Sequence, residues 1–222
     1  MALLVRTWNL FHGNTQPPQR HAYLREMVEL VSADAPDVVC LQELPVWALP
    51  RLEVWSGMKA SSAVARRPRL GSAELGRVLT EWNAGLLRSA LTGEADAILV
   101  AHGLDVAEPR CQVVSRSGLR RIVHGASVDG VFVANFHIAG ITEQLDAVAA
   151  FVAKEERVIL AGDANLAPPY RIAGFSAPLA DSIDQILVRG LPSTPPVRWA
   201  DERRTLHGRL LSDHAPVELT VG

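Results

Sequence analysis

The sequence is poor in cysteine and lysine, has no long hydrophobic run, and is dominated by neither sign of charge. Cys40 and Cys111 are its two cysteines. They fit neither a zinc-ligand spacing nor a disulfide framework. Both lie in or beside apolar, strand-like runs, so they are expected as buried thiols in a reducing compartment, with a Cys40–Cys111 bridge left open. No apolar stretch approaches the roughly 20 residues of a spanning helix, so no membrane span is expected. The opening Met1-Ala2-Leu3-Leu4-Val5-Arg6 is too short an apolar stretch for a signal peptide, and polar Asn9, His12 and Asn14 follow at once. The cytoplasm is therefore the expected compartment. Twenty-two basic residues stand against 24 acidic ones, a formal charge of -2, which argues against a protein that grips nucleic acid by its overall field. Only Lys59 and Lys154 among the basic residues are lysines. The arginine excess suits bidentate phosphate contacts, although a base-composition bias produces the same excess.

What is present is an ordinary globular composition, 48% hydrophobic and 21% charged over 222 residues, enough for one sizeable core. With no repeat, low-complexity tract or composition break, a single domain over residues 1–222 is expected. Residues 3–9 spell a buried strand. Leu24, Met27, Val28 and Val31 recur at helical spacing within 20–32, and Ala35-Pro36-Asp37 stops that helix. Val38-Val39-Cys40-Leu41 is a second buried strand, ending in Gln42-Glu43. Residues 44–82 are expected as loops, short strands and one helical turn. Strands are then expected from Trp82 to Arg88, from Ala97 to His102, on both sides of a turn at Arg116-Ser117-Gly118, and from Val128 to His137. A helix over 142–154 with Thr142 as N-cap precedes strands at 157–161 and 182–188. A Pro- and Arg-rich loop over 190–209 and a last strand from Ala215 to Val221 complete the chain. Strands mixed with a few helices and hairpins suggest sheets covered by helices rather than a purely parallel sheet.

Along this pattern, apolar strands repeatedly meet acidic, amide or imidazole groups. They do so at Asn9, at Gln42-Glu43, at Asn135 and His137, at Asp163 and Asn165, at Asp184, and at Asp213-His214. Taken singly, each is ordinary. Gly-Asp-Ala-Asn is turn chemistry, Asp213-His214 serves as well as a cap or surface pair, and Asn9 and Asn135 can bond loop backbone. Taken together they are the inventory of hard-cation phosphoryl chemistry. Mg²⁺ and Mn²⁺ take carboxylate and water oxygens, and phosphate-ester cleavage needs a positioned water and neutralised phosphoryl oxygens. Strand ends in a layered α/β protein share one rim, so groups distant in sequence can converge there.

The ordered set Trp8-Asn9, Gln42-Glu43, Asn135/His137, Gly162-Asp163-Ala164-Asn165, Ile183-Asp184-Gln185-Ile186 and Ser212-Asp213-His214 resembles the endonuclease/exonuclease/phosphatase (DNase I-like) superfamily. That group includes pancreatic-type DNases, AP endonucleases, neutral sphingomyelinases and inositol polyphosphate 5-phosphatases. The resemblance implies a four-layer α/β sandwich, two mixed β-sheets packed face to face with helices outside. It implies Mg²⁺ or Mn²⁺, with Glu43 as principal ligand, Asp213 as a second through water, and Asn9 helping to hold the site. Asp163 would orient or deprotonate the attacking water. Asn165 and His137, with Asn135, would bind the scissile phosphate. His214 would contact a phosphoryl oxygen, kept protonated by Asp184. Trp82-Asn83-Ala84-Gly85-Leu86-Leu87-Arg88 resembles a family strand, which adds Asn83 to the phosphate site. The chain departs from particular branches. Leu10-Phe11 follow Asn9 where AP endonucleases carry an acid, the Asp184 segment lacks the Trp-Cys-Asp-Arg of inositol 5-phosphatases, and Ala164 replaces a frequent large apolar residue. The chain is also short for the family, so trimmed substrate loops are expected.

For the substrate, two basic stretches (Lys59, Arg66, Arg67, Arg69, Arg77 and Arg198, Arg203, Arg204, Arg209) and four tryptophans (Trp47, Trp55, Trp82, Trp199) allow a groove that stacks bases and holds phosphates. The alternative is that these are loop arginines and core tryptophans. A nuclease on DNA or RNA is the first expectation, and a hydrolase of a small phosphorylated molecule or lipid headgroup the second. A non-catalytic binding domain is third, because the full set of acids and imidazoles is intact.

Overall fold

Two mixed sheets stack face to face in the computed structural model, which describes residues 2–69, 72–82, 91–115 and 118–222. The first sheet begins with β1 (Leu3–Asn9), which pairs in parallel with β3 (Val38–Leu44). On the far side of β3 lie β5 (Glu94–Val100) and β4 (Lys59–Arg66), each antiparallel to its neighbour. On the other flank β14 (Val217–Val221) runs antiparallel to β1 and carries the short β11 (Val197–Arg198). The second sheet has the order β10 (Asp184–Arg189), β9 (Val158–Asp163), β8 (Val131–His137), β7 (Ile122–Val128), β6 (Val106–Val113), with β8 and β9 its parallel pair. A small third sheet joins β2 (Thr15–Gln16), β13 (Arg209–Leu211) and β12 (Thr205–Leu206).

Side-chain alternation explains the layers. One face of each strand contributes Val5, Val38, Cys40, Ile98, Val133, Ile159, Ala161, Ile186 and Leu219 to a core between the sheets. The outer face of the first sheet (Trp8, Val39, Leu41, Leu99) packs on α1 (Leu24–Ser32) and α2 (Leu52–Ser56). The outer face of the second (Val123, Phe136, Leu160, Leu187) packs on α4 (Thr142–Phe151), which follows α3 (Ala73–Trp82) in the chain. The buried residues of α1 are Leu24, Met27, Val28 and Val31, as their spacing predicts. This is the four-layer α/β sandwich that the resemblance implied. Among the described residues, no helix is long and apolar enough to cross a membrane.

Several local expectations differ from the structure. Residues 44–82 hold more order than loops, because a 3-10 stretch at Val46–Arg51, α2, β4 and the ten-residue α3 occupy them. Trp82 closes α3 instead of opening a strand, and 83–88 lie outside the described residues. The turn residues Arg116 and Ser117 also lie outside them, although β6 and β7 pair as the hairpin reading required. Ile141, with extended backbone, is the N-cap of α4, and Thr142 is already helical. Cys40 is buried but Cys111 is exposed on an edge strand, and both are free thiols.

Candidate active site

Register brings the chemistry to one rim. Across the end of the second sheet, Ile122, His137, Asp163 and Asp184 are successive cross-strand partners on β7, β8, β9 and β10. Across the first sheet, Asn9 on β1 is level with Gln42 on β3. Asn9, Glu43, His137 and Asp163 end or nearly end their strands. Asp184 starts β10, and Asp213-His214 precede β14, yet these strands run antiparallel to their neighbours and so begin at the same rim. Gly162 makes the approach possible. Its φ is +150°, and a Cβ there would stand 1.9 Å from the Phe136 carbonyl oxygen, so only glycine seats β9 against β8 beside Asp163.

His214 Nδ1 lies 2.9 Å from Asp184 Oδ2, and its Nε2 lies 3.9 Å from Asp163 Oδ2. Burial works against a charged ring, but the hydrogen bond and charge of Asp184, with Asp163 and Asp213 behind it, push the pKa up to about 9. The ring is therefore an imidazolium at neutral pH, with Nδ1–H on Asp184 and Nε2–H toward the cleft. The turn that presents it is tightly fixed. Ser212 has a left-handed φ of 59°, and its hydroxyl donates to the Asn9 carbonyl at 2.7 Å while accepting the His214 N–H. The buried Arg204 donates to the carbonyls of Leu211, Ser212 and His214, and Trp8 Nε1 donates to the last of these. Asp163, fully buried, accepts from Asn165 N–H at 2.7 Å and from the side-chain amides of Asn9 and Asn165 at 2.9 Å. The Asn9 contact ties the two sheets together at the site.

Glu43 faces this group from the first sheet. A register irregularity between Leu41 and Leu44 and a left-handed φ of 54° at Glu43 turn its carboxylate into the cleft, as bulges do at sheet rims. Its oxygens stand 3.5 Å from His12 Nε2 and 3.6 Å from His137 Nε2. Among the described residues His137 Nε2 is buried without a hydrogen-bond partner, and it also lies 3.6 Å from Asp163 Oδ2, so it is aimed at the space between the two carboxylates. Behind the ring, Glu94 Oε1 lies 3.3 Å from Nδ1, and Arg121 Nη1 lies 2.9 Å from Nδ1 and 2.6 Å from Glu94. Burial opposes the Glu94 carboxylate, but His137 and Arg121 hold its pKa down to about 2. The same burial opposes a charged His137, and the Glu94 hydrogen bond outweighs it and raises its pKa.

A hard cation fits one part of this arrangement better than another. Asp163, Asp184 and His214 offer ligand atoms within 4.8 Å of one another. However, the Asp184 oxygens lie against His214 Nδ1 and those of Asp163 accept three hydrogen bonds, so this cluster is already satisfied internally. Glu43 and Asp213 keep 20% and 33% of their side chains exposed. Burial raises the Asp213 pKa, and repulsion from Glu43 adds to it, so these are two partly open carboxylates near enough to repel. That is the oxygen-donor chemistry of a Mg²⁺ or Mn²⁺ site, and the residues present fit it.

One expected phosphate binder is not brought to the cleft. Asn135 is fully buried between the sheets, where its Nδ2 donates to the Leu41 and Ala97 carbonyls and its Oδ1 accepts from Gln42. It joins sheet to sheet and has no amide hydrogen left for a phosphate. Asn83 lies outside the described residues. The basic stretches are also largely spent. Lys59 bonds the Leu104 carbonyl, Arg66 pairs with Glu94, Arg77 with Glu74 and Glu81, Arg203 with Glu218, and Arg204 with Asp201. Trp199 is buried, and Trp47 and Trp55 are half-buried against the helical side of the first sheet. His12, Glu94 and Arg121 stand in this group without being singled out by the sequence, and Arg204, expected in a phosphate groove, instead holds the turn before β14. The only sequence signal for Glu94 is an acid at the start of an apolar strand, and a search for acids at strand ends passes it over.

Two sheets whose facing rims bring a carboxylate-held imidazolium to within 4 Å of a buried aspartate define the DNase I-like class of phosphate-ester hydrolases. Residues 7–214 match the endonuclease/exonuclease/phosphatase family, and the chain belongs to it. No curated protein matches. Among solved structures, a functionally unknown conserved protein from Enterococcus faecalis V583 is similar at 17% identity and a TM-score of 0.73, over 99% of each chain. An endonuclease/exonuclease/phosphatase from Beutenbergia cavernae DSM 12333 is similar at 17% identity and a TM-score of 0.71, over 99% of this chain and 71% of the other. D. rerio TDP2, solved with a single strand DNA product, is similar at 16% identity and a TM-score of 0.69, over 100% of this chain and 99% of the other. At these identities the likeness is one of fold.

Proposed function

We propose that this chain is a divalent-metal-dependent phosphodiesterase acting as one domain over residues 1–222. The observation that carries the reading is the Asp184–His214 pair set against Asp163, with His214 Nε2 and Asp163 Oδ2 3.9 Å apart across the cleft. An imidazolium and a carboxylate on facing sides are what an in-line displacement at phosphorus asks for. Asp163 accepts the proton of the attacking water as its oxygen bonds to phosphorus. Asn9 and Asn165 hold that carboxylate in orientation through their amide hydrogens. His214 Nε2–H donates to a phosphoryl oxygen on which charge develops, and Asp184 keeps the ring charged and aimed. His137 offers Nε2 to a second phosphoryl oxygen, its ring fixed from behind by Glu94 and Arg121. The P–O bond to the leaving group breaks, and that oxygen takes its proton from solvent. A divalent cation held by Glu43 and Asp213, near Asn9, would neutralise charge on the phosphate.

The first substrate reading is an ester that presents a single phosphate, on a small molecule or lipid headgroup, because Arg66, Arg77, Arg203 and Arg204, of the arginines expected to track a strand, are committed to ion pairs. A nucleic-acid strand is the second reading, favoured by the D. rerio relative with its single strand DNA product.

The test is a hydrolysis panel with Mg²⁺, Mn²⁺ or EDTA. It covers bis(4-nitrophenyl) phosphate, 4-nitrophenyl phosphate, glycerophosphodiesters, RNA, and single- and double-stranded DNA. The native chain is expected to cleave diesters with metal and not with EDTA, and His214→Ala to lose about 10²–10⁴ in rate. Equal rates for the native chain and His214→Ala on every substrate would sink the reading.

A further inference from the structure

Helix α3 is built inside out. Its charged side lies against the body, where Arg77 stands 5.5 Å over the Trp47 ring and pairs with Glu74 and Glu81, and where Arg51 reaches Glu74. Gly76 faces the Leu91 carbonyl, 3.0 Å from where its Cβ would be. On the opposite side Leu75, Val78, Leu79 and Trp82 are 52%, 50%, 36% and 75% exposed. These four fall at i, i+3, i+4 and i+7, one stripe about 100° wide. The usual surface helix turns such a stripe inward.

The helix packs on the 3-10 stretch Val46–Arg51, which follows Glu43 and Leu44 at the rim end of β3. In sequence it lies between Arg66, the end of β4, and Glu94, the start of β5, and these two residues are ion-paired beside His137. Other exposed apolar side chains lie at the same rim. Leu119 precedes Arg121 in the β6–β7 loop, and Ile141 follows His137 in the β8–α4 loop. Exposed Arg67, Arg69 and Arg120 flank these segments in sequence, and no ion pair engages them among the described residues.

We propose that α3, with Arg67 and Arg69, docks the active-site rim on an anionic phospholipid surface. The occupant follows from size and chemistry. A ten-residue helix is about 15 Å long, so the stripe covers on the order of 150 Å². A stable dimer needs roughly 800 Å² from each partner, which makes a second copy a poor fit. A bilayer needs no shape match. It buries each inserted side chain separately, takes Trp at the headgroup level, and attracts cations that flank the apolar stripe. Trp82 alone offers a nucleic-acid strand a stacking face, whereas Leu75, Val78 and Leu79 offer it nothing to stack on or hydrogen-bond. Docking in this way brings headgroup phosphates to the cleft, so the substrate class narrows to phosphodiesters at a membrane surface. That last step rests on the hydrolase reading, whereas the docking does not.

Sedimentation with phosphatidylcholine vesicles, with and without phosphatidylglycerol, tests the proposal without turnover. The native protein is expected to sediment with the anionic vesicles. Its tryptophan emission should shift to the blue, since Trp82 is the tryptophan most open to water. The double change Leu75→Ser, Leu79→Ser should weaken partition at least about tenfold. Arg67→Gln and Arg69→Gln should weaken it about fivefold each. All variants should keep the native circular dichroism and the native rate on soluble bis(4-nitrophenyl) phosphate. The proposal is overturned if the native protein ignores anionic vesicles or if the double variant sediments equally well. It is also overturned by a doubled solution mass that the double variant abolishes, which makes the stripe a self-interface. An emission shift with a single-stranded oligonucleotide but not with vesicles would assign it to nucleic acid instead. Vesicle binding without any diester hydrolysis would sink the hydrolase reading and leave the docking intact.

Discussion

At the scale of residues, His214 shows how the site sets its own pH range. Its pKa of about 9 is well above the ordinary 6.5, because Asp184 outweighs the effect of burial. The charged ring therefore contributes stability that is fully present below about pH 6.5 and lost as pH rises through about 9. If Nε2–H donates to the phosphate, the rate should fall along the same alkaline limb. Asp184→Asn removes the charge while keeping a hydrogen-bonding group. Its alkaline limb should move down by a unit or more toward 6.5, visible in a pH profile of kcat. An unchanged limb would detach Asp184 from the role given to it. Glu94 and Arg121 serve His137 differently. They clamp its Nδ1 and leave Nε2 for the cleft, so the two histidines of the site are oriented by separate carboxylates on separate strands.

Elements bring these residues together only because the strands pack at full depth. β8 and β9 are the parallel pair on which His137 and Asp163 stand side by side, and Gly162 lets their backbones close. Gly162→Ala would set a Cβ 1.9 Å from the Phe136 carbonyl oxygen. A loss on the order of 3 kcal/mol or more is expected, measured by urea unfolding, with activity falling as Asp163 is displaced. A loss under about 0.5 kcal/mol would mean the strands separate more easily than the packing implies. Two elements show opposite sides of pattern reading. The stripe of α1 reports its buried face directly. The stripe of α3 has the same spacing, but it follows Arg66-Arg67-Pro68-Arg69, a stretch that reads as loop. Its apolar face also turns outward, so no buried partner gives it away.

For the whole molecule, Glu43 on one sheet and Asp213 at the entry to β14 place two repelling carboxylates at the mouth of the sandwich. A cation that binds them should stabilise the fold by mass action, about 2.7 kcal/mol at a hundredfold excess over its dissociation constant. For a chain of this size that is about 5–10 °C in Tm, readable by calorimetry with and without Mg²⁺. Glu43→Gln should leave the metal-free Tm equal or higher and abolish most of the Mg²⁺ shift. A full shift in that variant would move the metal elsewhere. The near-neutral total charge fits this economy, because arginine after arginine is paired within the fold instead of gathered into an open groove.

The sequence by itself determined most of the strands, the mixed α/β character and most of the rim. Period-two alternation and apolar runs are local properties, and Asn9, Glu43, His137, Asp163, Asp184 and His214 each stand beside such a run. Tertiary structure alone decided which of these groups meet and which are spent elsewhere. Asn135 looked like a ligand of phosphate until the facing sheet claimed its amide. Glu94 looked like nothing until antiparallel pairing put the start of β5 at the rim. Arg66, Arg77, Arg203 and Arg204 looked like part of a groove until their carboxylate partners closed around them. Hydrogen bonds and ion pairs between segments many residues apart have no sequence period, so only the folded packing can reveal which polar groups are spent and which still face the cleft.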